Sequence, residues 1–253
     1  MSIIKSFRKN SKPLIETKNI YEKSDIKLDV IIVTFSFRTI NALLEDDVIE
    51  LISENSIKSI SCCYPIYRFK DTHIGIIKTT VGAPITSALI EEACYIYSSK
   101  KVILYGTCGS LSKDISINQI IVPNAAYRDE GVSYHYMDPS DYIDIPNFKI
   151  VCSILEELNI SYVCGKTWTT DAFYRETIEE INERKNEGCI AVEMEIAACQ
   201  AVCNYLGIEF YTFLYRADNL DANSWEKGKK DSRLSKDERL NILTIAFEIA
   251  KRI

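Results

Sequence analysis

The sequence predicts an α/β fold, in which a single domain has a central mixed β-sheet flanked by helices. The first observation is that strand patterns and helix patterns alternate along the chain, without a convincing linker or internal repeat. The second is the length of 253 residues, which is enough for one large domain with a substantial core. The third is that the candidate motifs fall at the carboxyl ends of predicted strands, where ligands bind in such folds.

Eight segments show the short apolar runs of strands, and five show the spacing of helices. The predicted strands are 29–34, 57–69, 72–80, 102–105, 119–126, 162–167, 189–192 and 209–215. The predicted helices are 85–98, 148–158, 178–186, 195–206 and 236–252. We expect residues 29–253 to form the domain. Residues 1–28, which are rich in lysine, are expected to form an amino-terminal arm or a frayed end.

The composition is that of an ordinary soluble protein. Hydrophobic residues make up 47% and charged residues 26% of the chain. The formal net charge of -6 gives no electrostatic footprint for nucleic acid. No apolar run is long enough to span a bilayer, and the basic start lacks the hydrophobic segment of a signal peptide. We therefore expect no membrane partner and a cytoplasmic location.

The cysteines and histidines argue against a metal site. The chain has nine cysteines and two histidines, no Cys-x-x-Cys pair occurs, and neither His73 nor His135 is spaced with cysteines for a metal. Most cysteines lie within apolar segments, as Cys94 and Cys203 do, so we interpret them as reduced and mostly buried. We expect no metal and no cofactor.

The most informative motif is Glu193-Met194-Glu195, which lies between the apolar run 190–192 and the helical run 196–203. A strand that ends at a helix start places both carboxylates beside unpaired backbone N–H groups, which stabilise negative charge. Because a carboxylate accepts two hydrogen bonds and a thioether packs against an apolar ring face, the motif suits a sugar with vicinal hydroxyls. Helix starts also favour Glu for structural reasons alone, but the methionine between the two acids favours the binding interpretation.

A glycine-rich segment, Gly106-Thr107-Cys108-Gly109-Ser110, follows the predicted strand 102–105. Glycines at the end of a strand allow a ligand to approach the backbone closely, and hydroxyl and N–H groups suit an anion. The segment is not a P-loop, since no Gly-Lys-Ser/Thr follows it. A turn that only reverses the chain is the alternative interpretation.

Together these motifs resemble the nucleoside phosphorylase superfamily of the purine nucleoside and uridine phosphorylase type, which also contains hydrolytic nucleosidases. The glycine segment is similar to the central glycine loop of that family, and 192–198 is similar to its Val-Glu-Met-Glu-x-Ala-Ala signature. Further matches are 81–84, 128–135 and 170–174. The resemblance extends from about residue 29 to residue 219. It implies a three-layer architecture, nucleoside and phosphate as substrates, and a homo-oligomer, from dimer to hexamer, with shared active sites.

The resemblance assigns the Glu193-Met194-Glu195 motif to the ribose and Asp218 to the base. In purine-cleaving members, a Ser-Asp pair at this place protonates the base at N7 as the glycosidic bond breaks. This chain has Ala217 at the Ser position, so only the acid carries over. Burial in a dry cleft raises the pKa of a carboxyl and keeps it protonated for such a role. An Asp that caps the following turn is the alternative.

The base pocket resembles that of purine enzymes more than that of uridine phosphorylases. The resemblance implies base contacts from Phe173, Cys108 and Gly109. Uridine phosphorylases read the uracil edge with a Gln and an Arg, and these two positions hold Thr177 and Glu179 in this chain. Neither side chain offers the required donor pattern, so we expect a purine base.

The phosphate site departs from the family pattern. The Gly-Asp-Pro-x-Arg sequence that follows the first strand of phosphorylases corresponds to 34–38, which keeps only the arginine. Two further phosphate arginines of the family fall at Leu104 and Cys62. Because an anion in a cleft needs guanidinium partners, phosphate binding is expected to be weak or differently arranged. The resemblance implies a phosphate site formed by Arg38, Gly106 and Thr107.

Three functions are therefore open. We expect phosphorolysis of a purine nucleoside to the free base and pentose 1-phosphate, with inorganic phosphate as the co-substrate. A hydrolytic nucleosidase is the first alternative, although such members of the family place a Glu where this chain has Arg38. A non-catalytic nucleoside-binding homologue is the second.

Two further features have both a functional and a structural interpretation. Arg128 is a second cation for the site or a surface ion-pair partner. The segment 220–234 is predicted to be a loop. The resemblance implies a loop that closes over the base with Trp225 or Arg233, and a solvated surface loop is the alternative.

Overall fold

The computed structural model describes residues 2–58, 62–221, 225–228 and 234–253. Within these residues the chain forms ten β-strands in one sheet and six α-helices. The strands are β1 (Val30–Thr34), β2 (Ile49–Lys58), β3 (Cys63–Phe69), β4 (Ile74–Lys78), β5 (Lys101–Ser110), β6 (Ile120–Asp129), β7 (Tyr142–Asp144), β8 (Tyr162–Thr170), β9 (Cys189–Glu193) and β10 (Glu209–Asn219). The helices are α1 (Phe37–Glu45), α2 (Ala83–Ile96), α3 (Phe148–Glu157), α4 (Ile178–Asn186), α5 (Ile196–Leu206) and α6 (Lys236–Ala250).

The sheet runs in the order β10-β6-β8-β9-β5-β1-β4-β3-β2, and β10 also pairs with β5. Strands β5, β10, β6, β8 and β9 therefore close into a ring, from which β1, β4, β3 and β2 extend as an open sheet. Strand β5 is parallel to β1 and β10, whereas β9 is antiparallel to β5 and β6 is antiparallel to β10. Both directions occur, which confirms the predicted mixed sheet.

The core is divided by the sheet into two main clusters, as alternation along β1 shows. Val30 and Ile32 pack in a cluster with apolar side chains of α1, α3 and α6. Ile31 and Val33 point to the opposite face and pack in a cluster with α2 and α5. Each such fully buried aliphatic side chain stabilises the fold by about 1.5–3 kcal/mol. Helices therefore cover both faces of the sheet, which confirms the predicted α/β layering.

The predicted bounds are best where the local signals are strong. Helix α4 has the predicted bounds because Thr177 and Glu180 form a capping box at its start. Helix α1 and strand β7 were not predicted. Helix α1 is a nine-residue helix that Ser36 caps by accepting a hydrogen bond from the Thr39 N–H at 3.2 Å. The predicted strand 57–69 divides into the end of β2, three residues outside the described ones, and β3.

The glycine-rich segment continues strand β5, so the interpretation of it as a turn was wrong, and the predicted strand 102–105 was too short. Residues Gly106 to Ser110 continue β5, because β10 pairs with β5 from Glu209 to Asn219. Long pairing to a neighbouring strand overrides the preference of two glycines for a turn. Nothing in the sequence around residues 106–110 indicates that β10 pairs with them.

A few buried side chains and backbone hydrogen bonds hold the amino-terminal segment, residues 2–28, against the domain. Tyr21 and Leu28 are buried, and the N–H groups of Ser24 and Leu28 donate to the end of α2. Leu14 and Ile15, in contrast, are exposed. None of the helices in the described part of the chain combines the length and hydrophobicity needed to cross a bilayer.

Candidate active site

Gly109 is the point at which the two acidic motifs meet. On one side of β5 it pairs with Val192, the residue before Glu193, and on the other side it pairs with Asp218. A Cβ atom on this glycine would lie 3.1 Å from Asp218 Oδ1, 3.0 Å from Val192 Cγ1 and 2.5 Å from Leu220 Cδ1. The absence of a side chain therefore allows the motifs to lie next to each other.

Glu193 is held at the start of α5 by three close donors, and the Thr167 hydroxyl lies 3.5 Å from its Oε1. Its Oε2 accepts hydrogen bonds from the N–H groups of Glu195 at 2.7 Å and Ile196 at 2.8 Å. Its Oε1 accepts a hydrogen bond from the Thr169 hydroxyl of β8 at 2.5 Å. The carboxylate thus caps the helix from within the chain, a role that the pattern of strand followed by helix predicts in part. Burial raises its pKa to about 7, although these three hydrogen bonds oppose the rise.

Glu195 lies at the meeting point of two helix starts. Its Oε1 accepts a hydrogen bond from the N–H of Gly82, the residue that caps α2, at 2.6 Å. Gly82 has a φ of 123°, which favours glycine, and a Cβ atom there would meet nothing within 4 Å. Burial and the neighbouring Glu193 raise the pKa of Glu195 to about 8. Met194 is half-buried between the two acids.

Asp218 lies near the end of β10, after an irregularity in its pairing with β5. Its Oδ2 accepts a hydrogen bond from the Trp225 indole N–H at 2.8 Å, and its backbone carbonyl accepts one from Arg216 Nε at 3.3 Å. Gly228 lies so close that a Cβ atom on it would be 1.8 Å from the carbonyl oxygen of Ala217. The segment 225–228 therefore folds back onto the candidate acid.

Cys108 lies below both acids. It is buried, and its thiol donates to the Tyr215 carbonyl oxygen at 3.7 Å. Burial, Glu193 and Asp218 raise its pKa well above the usual value, so it stays a neutral thiol. The Cys108 side chain is part of the core that supports the site. Only the backbone of Cys108 is then available for the predicted base contact.

The predicted base-stacking residue, Phe173, lies in a short 3-10 helix that follows β8. Its side chain is 42% exposed, and its ring meets the Tyr174 ring edge-on with 4.9 Å between the centroids. Glu176 follows this helix and is half-buried. Burial, and to a smaller extent Asp218, raise the pKa of Glu176 to about 7. The sequence interpretation had not considered this carboxyl.

The residues predicted to bind phosphate follow or belong to the neighbouring strands β1 and β5. Arg38 is exposed in the first turn of α1, and Thr107 is exposed on β5. The Phe35 ring packs so closely on Gly106 that a Cβ atom there would lie 2.9 Å from it. Leu104, at a family arginine position, is 2% exposed in the core.

Arg128 is buried, and it forms no ion pair within the described part of the chain. It is 2% exposed, and it donates to the Ser133 hydroxyl at 2.8 Å and to the Asp138 carbonyl at 2.9 Å. Its guanidinium lies 4.3 Å from the centroid of the Tyr134 ring. This arginine therefore holds the connection between β6 and β7 together. Arg233 lies outside the described residues. The described residues contain no group of three His, Cys, Asp or Glu side chains placed to hold a metal.

Comparison with known proteins agrees with this arrangement. The chain matches the model of the Phosphorylase superfamily over residues 29–248. The DeoD-type purine nucleoside phosphorylase of Caldanaerobacter subterraneus subsp. tengcongensis is 29% identical over 212 residues, which are 79% of this chain and 88% of that protein. The chain belongs to the phosphorylase superfamily, which confirms the resemblance seen in its motifs.

Two solved structures share the fold. Purine nucleoside phosphorylase from Toxoplasma gondii in complex with immucillin-H superposes with a TM-score of 0.72 at 24% identity, and covers 89% of this chain and 91% of its own. The native futalosine hydrolase of Helicobacter pylori strain 26695 superposes with a TM-score of 0.70 at 16% identity, and covers 89% of this chain and 98% of its own. Because a phosphorylase and a hydrolase share this fold, the reaction of this chain has to be argued from its site.

Proposed function

We propose that this protein cleaves the N-glycosidic bond of a purine nucleoside with inorganic phosphate and releases the free base and a pentose 1-phosphate. The observation that carries the proposal is the position of Gly109 between Val192 and Asp218. It brings a carboxylate suited to sugar hydroxyls and a carboxyl suited to the base to one place. A nucleoside needs both groups in that relation.

The ribose end of the site is the part with the most support. Glu195 is buried, and the Gly82 N–H fixes the position of its carboxylate. Vicinal ribose hydroxyls donate to the acceptor oxygens of this carboxyl, and these hydrogen bonds are about twice as strong when the carboxyl is ionised. Met194 packs against the apolar face of the sugar. Glu193, with three donors from the protein, positions the motif and the start of α5.

Asp218 supplies the proton for the base. As the bond between C1′ and the purine nitrogen breaks, its electron pair passes to the base, and protonation at N7 neutralises the leaving group. The sugar then has oxocarbenium character, and a phosphate oxygen attacks C1′. The Trp225 hydrogen bond to Oδ2 fixes the carboxyl, and Oδ1 lies beside the position of Gly109.

The phosphate is the group for which the chain offers the fewest partners. Arg38, the Thr107 hydroxyl and the backbone around Gly106 are the groups assigned to it by the family resemblance. Hydrolysis is a second candidate function, and a specific observation favours it. The Phe35 ring covers Gly106, and Leu104 is buried in the core where the family has an arginine. In that reaction, water takes the place of phosphate while Glu195 and Asp218 keep their roles.

The test is a product assay on inosine, guanosine, adenosine and uridine, each with and without inorganic phosphate. We expect phosphate-dependent release of a purine base, together with pentose 1-phosphate. Release of free pentose without phosphate would establish hydrolysis instead. No release from any of the four nucleosides would contradict both reactions.

The assignment of the acid is tested by Asp218→Asn, which keeps the size of the side chain and removes the proton. Loss of a general acid lowers the rate by about a thousandfold. The matched control is Asp114→Asn, since Asp114 is an exposed acid outside the site. The two variants are compared by initial rates on the best purine nucleoside. Full activity in Asp218→Asn would remove the assignment.

A further inference from the structure

Strand β8 directs hydrogen-bond donors alternately to two acids. Trp168 and Thr170, on one face of the strand, donate to Asp129 Oδ2 at 3.1 Å and 3.0 Å. Thr169, on the opposite face, donates to Glu193 Oε1 at 2.5 Å. Because Thr169 pairs with Glu193 in the parallel ladder of β8 and β9, the two side chains lie side by side on the same face of the sheet. The register of these strands therefore brings the Thr169 hydroxyl to Glu193.

The direction of the Thr169 hydroxyl is fixed by a second hydrogen bond. Its oxygen accepts a hydrogen bond from the Ala197 N–H at 3.0 Å. A hydroxyl has one hydrogen to donate, and in Thr169 that hydrogen is directed to Glu193 Oε1. Thr169 is 0% exposed, so this arrangement is shielded from solvent. Thr169 therefore joins the carboxylate of Glu193 to the backbone of α5.

Glu193 and Thr169 together cap the first turn of α5. The N–H groups in the first turn of a helix have no partner within the helix. Glu193 Oε2 accepts hydrogen bonds from the N–H groups of Glu195 and Ile196. Thr169 accepts one from the N–H of the next residue, Ala197. Three successive N–H groups are thus bound by two side chains, one at the end of β9 and one on β8.

This cap determines the position of the backbone from which the Glu195 side chain extends. Glu195 is the N-cap residue of α5, and its own carboxyl is bound to the Gly82 N–H at the start of α2. Without the Thr169 hydroxyl, the Ala197 N–H and Glu193 Oε1 would each lose a buried partner, which is unfavourable. A shift of the helix start moves Glu195, and a displacement of about 1 Å in a site can lower a rate by about a hundredfold.

We propose that Thr169 is a positioning residue of the ribose site, which holds the start of α5 in place so that Glu195 meets the ribose hydroxyls. Because it is fully buried, Thr169 acts through Glu193 and the backbone of α5 and does not touch the nucleoside. The inference rests on the proposed function, which assigns the ribose to Glu195. It follows that the effect of losing the Thr169 hydroxyl depends on how many ribose hydroxyls the substrate offers.

A comparison of inosine with 2′-deoxyinosine isolates this role. The two nucleosides carry the same base and need the same proton from Asp218, but 2′-deoxyinosine has one hydroxyl fewer for Glu195. A displaced Glu195 therefore impairs the cleavage of inosine more than that of 2′-deoxyinosine. General damage to the fold, in contrast, impairs the cleavage of both nucleosides equally.

The experiment measures kcat/KM of wild type, Thr169→Val and Thr169→Ser on both nucleosides. Valine keeps the shape of threonine without its hydroxyl, and we expect it to lower kcat/KM for inosine by about tenfold to a hundredfold. The loss on 2′-deoxyinosine should be at least about threefold smaller, and Thr169→Ser, which keeps the hydroxyl, should stay within about threefold of wild type. The matched control is Thr212→Val, which should change little. Thr212 is a strand residue that is 2% exposed, and its hydroxyl has no hydrogen-bond partner within the described residues.

Equal kcat/KM in Thr169→Val and wild type would overturn the inference, as would equal losses on the two nucleosides or in the Val and Ser variants. If Thr169→Val does not fold, Thr169→Cys, which offers only a weak donor, takes its place with the same expectation. If the wild type cleaves no nucleoside, calorimetric binding of inosine tests the inference apart from the reaction. Weaker binding in Thr169→Val than in Thr212→Val then supports it, whereas equal binding in the two variants, or no binding to the wild type, refutes it.

Discussion

At the proposed ribose end of the site, Glu193 and Glu195 are each held by N–H groups of a helix start, whereas at the proposed phosphate end Arg38 is exposed on α1 and Phe35 covers Gly106. The proposed ribose end keeps the family motif, and backbone N–H groups hold both of its acids by hydrogen bonds. The phosphate end keeps one family arginine of three. The side chains proposed to bind the sugar are therefore held by the protein more firmly than those proposed to bind the nucleophile.

This difference separates two parts of the chemistry. In the proposed reaction, breaking the glycosidic bond needs Glu195 and Asp218. Glu195 follows β9 and Asp218 lies near the end of β10, and both strands pair with Gly109 of β5. The choice between phosphate and water depends on the few residues around Gly106. The site can thus select its nucleoside strongly and its nucleophile weakly. This difference fits a fold that phosphorylases and hydrolases share.

The largest effect should come from comparing the two ends directly. We expect Glu195→Gln to lower kcat/KM for the nucleoside by about a hundredfold or more, because it weakens two charge-assisted hydrogen bonds to ribose. Arg38→Gln should lower it by about tenfold or less and raise the KM for phosphate. Initial rates at varied nucleoside and phosphate concentrations measure both. Equal losses in the two variants would contradict the difference between the ends.

The local structure of the Glu193-Met194-Glu195 motif, a strand end followed by a helix, was predicted well from the sequence. The Glu193-Met194-Glu195 motif at a strand end before a helix is a local pattern, and local patterns can be interpreted from neighbouring residues. The donor to Glu193 from Thr169, 24 residues earlier, could not be predicted, because it depends on the pairing of β8 with β9. The donor from Gly82 had a faint signal, since Pro84 indicates a helix start just after that glycine.

The phosphate end was harder to predict for the same reason. The segment from Gly106 to Ser110 has the composition of a turn and becomes a strand through its pairing with β10. The start of α1 coincides with the segment that is similar to a family phosphate motif. Its capping residue, Ser36, is the local signal for a helix there. Glu176 escaped notice because nothing in its own neighbourhood distinguishes it from a surface acid.

A second prediction concerns the stability cost of the buried ribose carboxylate. The pKa of Glu195 is about 8 in the folded chain against 4.5 for an ordinary Glu. Between these values the folded state binds more protons than the unfolded state, so the free energy of unfolding falls as pH rises from about 4.5 to 8. We expect Glu195→Gln to be more stable than the wild type at pH 8, by about 4 kcal/mol, or ~10 °C in Tm.

The measurement is a thermal or urea unfolding series from pH 5 to pH 8 on both proteins. The difference should shrink towards pH 5, where the wild-type carboxyl keeps its proton in the folded state and the unfolded state also takes up protons. The control is Glu179→Gln, which alters an exposed acid. A constant difference between Glu195→Gln and wild type across this range would show that burial of the ionised carboxyl carries no such cost.

The smallest expected effect is that of removing the hydrogen bond between Trp225, in the segment 225–228, and Asp218. Trp225→Phe keeps an aromatic ring and removes the N–H that donates to Asp218 Oδ2 at 2.8 Å. The pairing of Asn219 with Glu226 on either side of this contact keeps the segment in place. We expect kcat to fall about fivefold, as for one hydrogen bond of about 1 kcal/mol, with little change in the KM for the nucleoside.

The comparison of kcat with KM decides what Trp225 does. A residue that only covers the base would raise KM on substitution, whereas a residue that orients the acid lowers kcat. In the background of Asp218→Asn, Trp225→Phe should have no further effect on kcat, since the group that it orients no longer donates a proton. An additional fivefold loss in the double variant would assign the indole to the substrate, and the loop would then belong to the base pocket instead of to the acid.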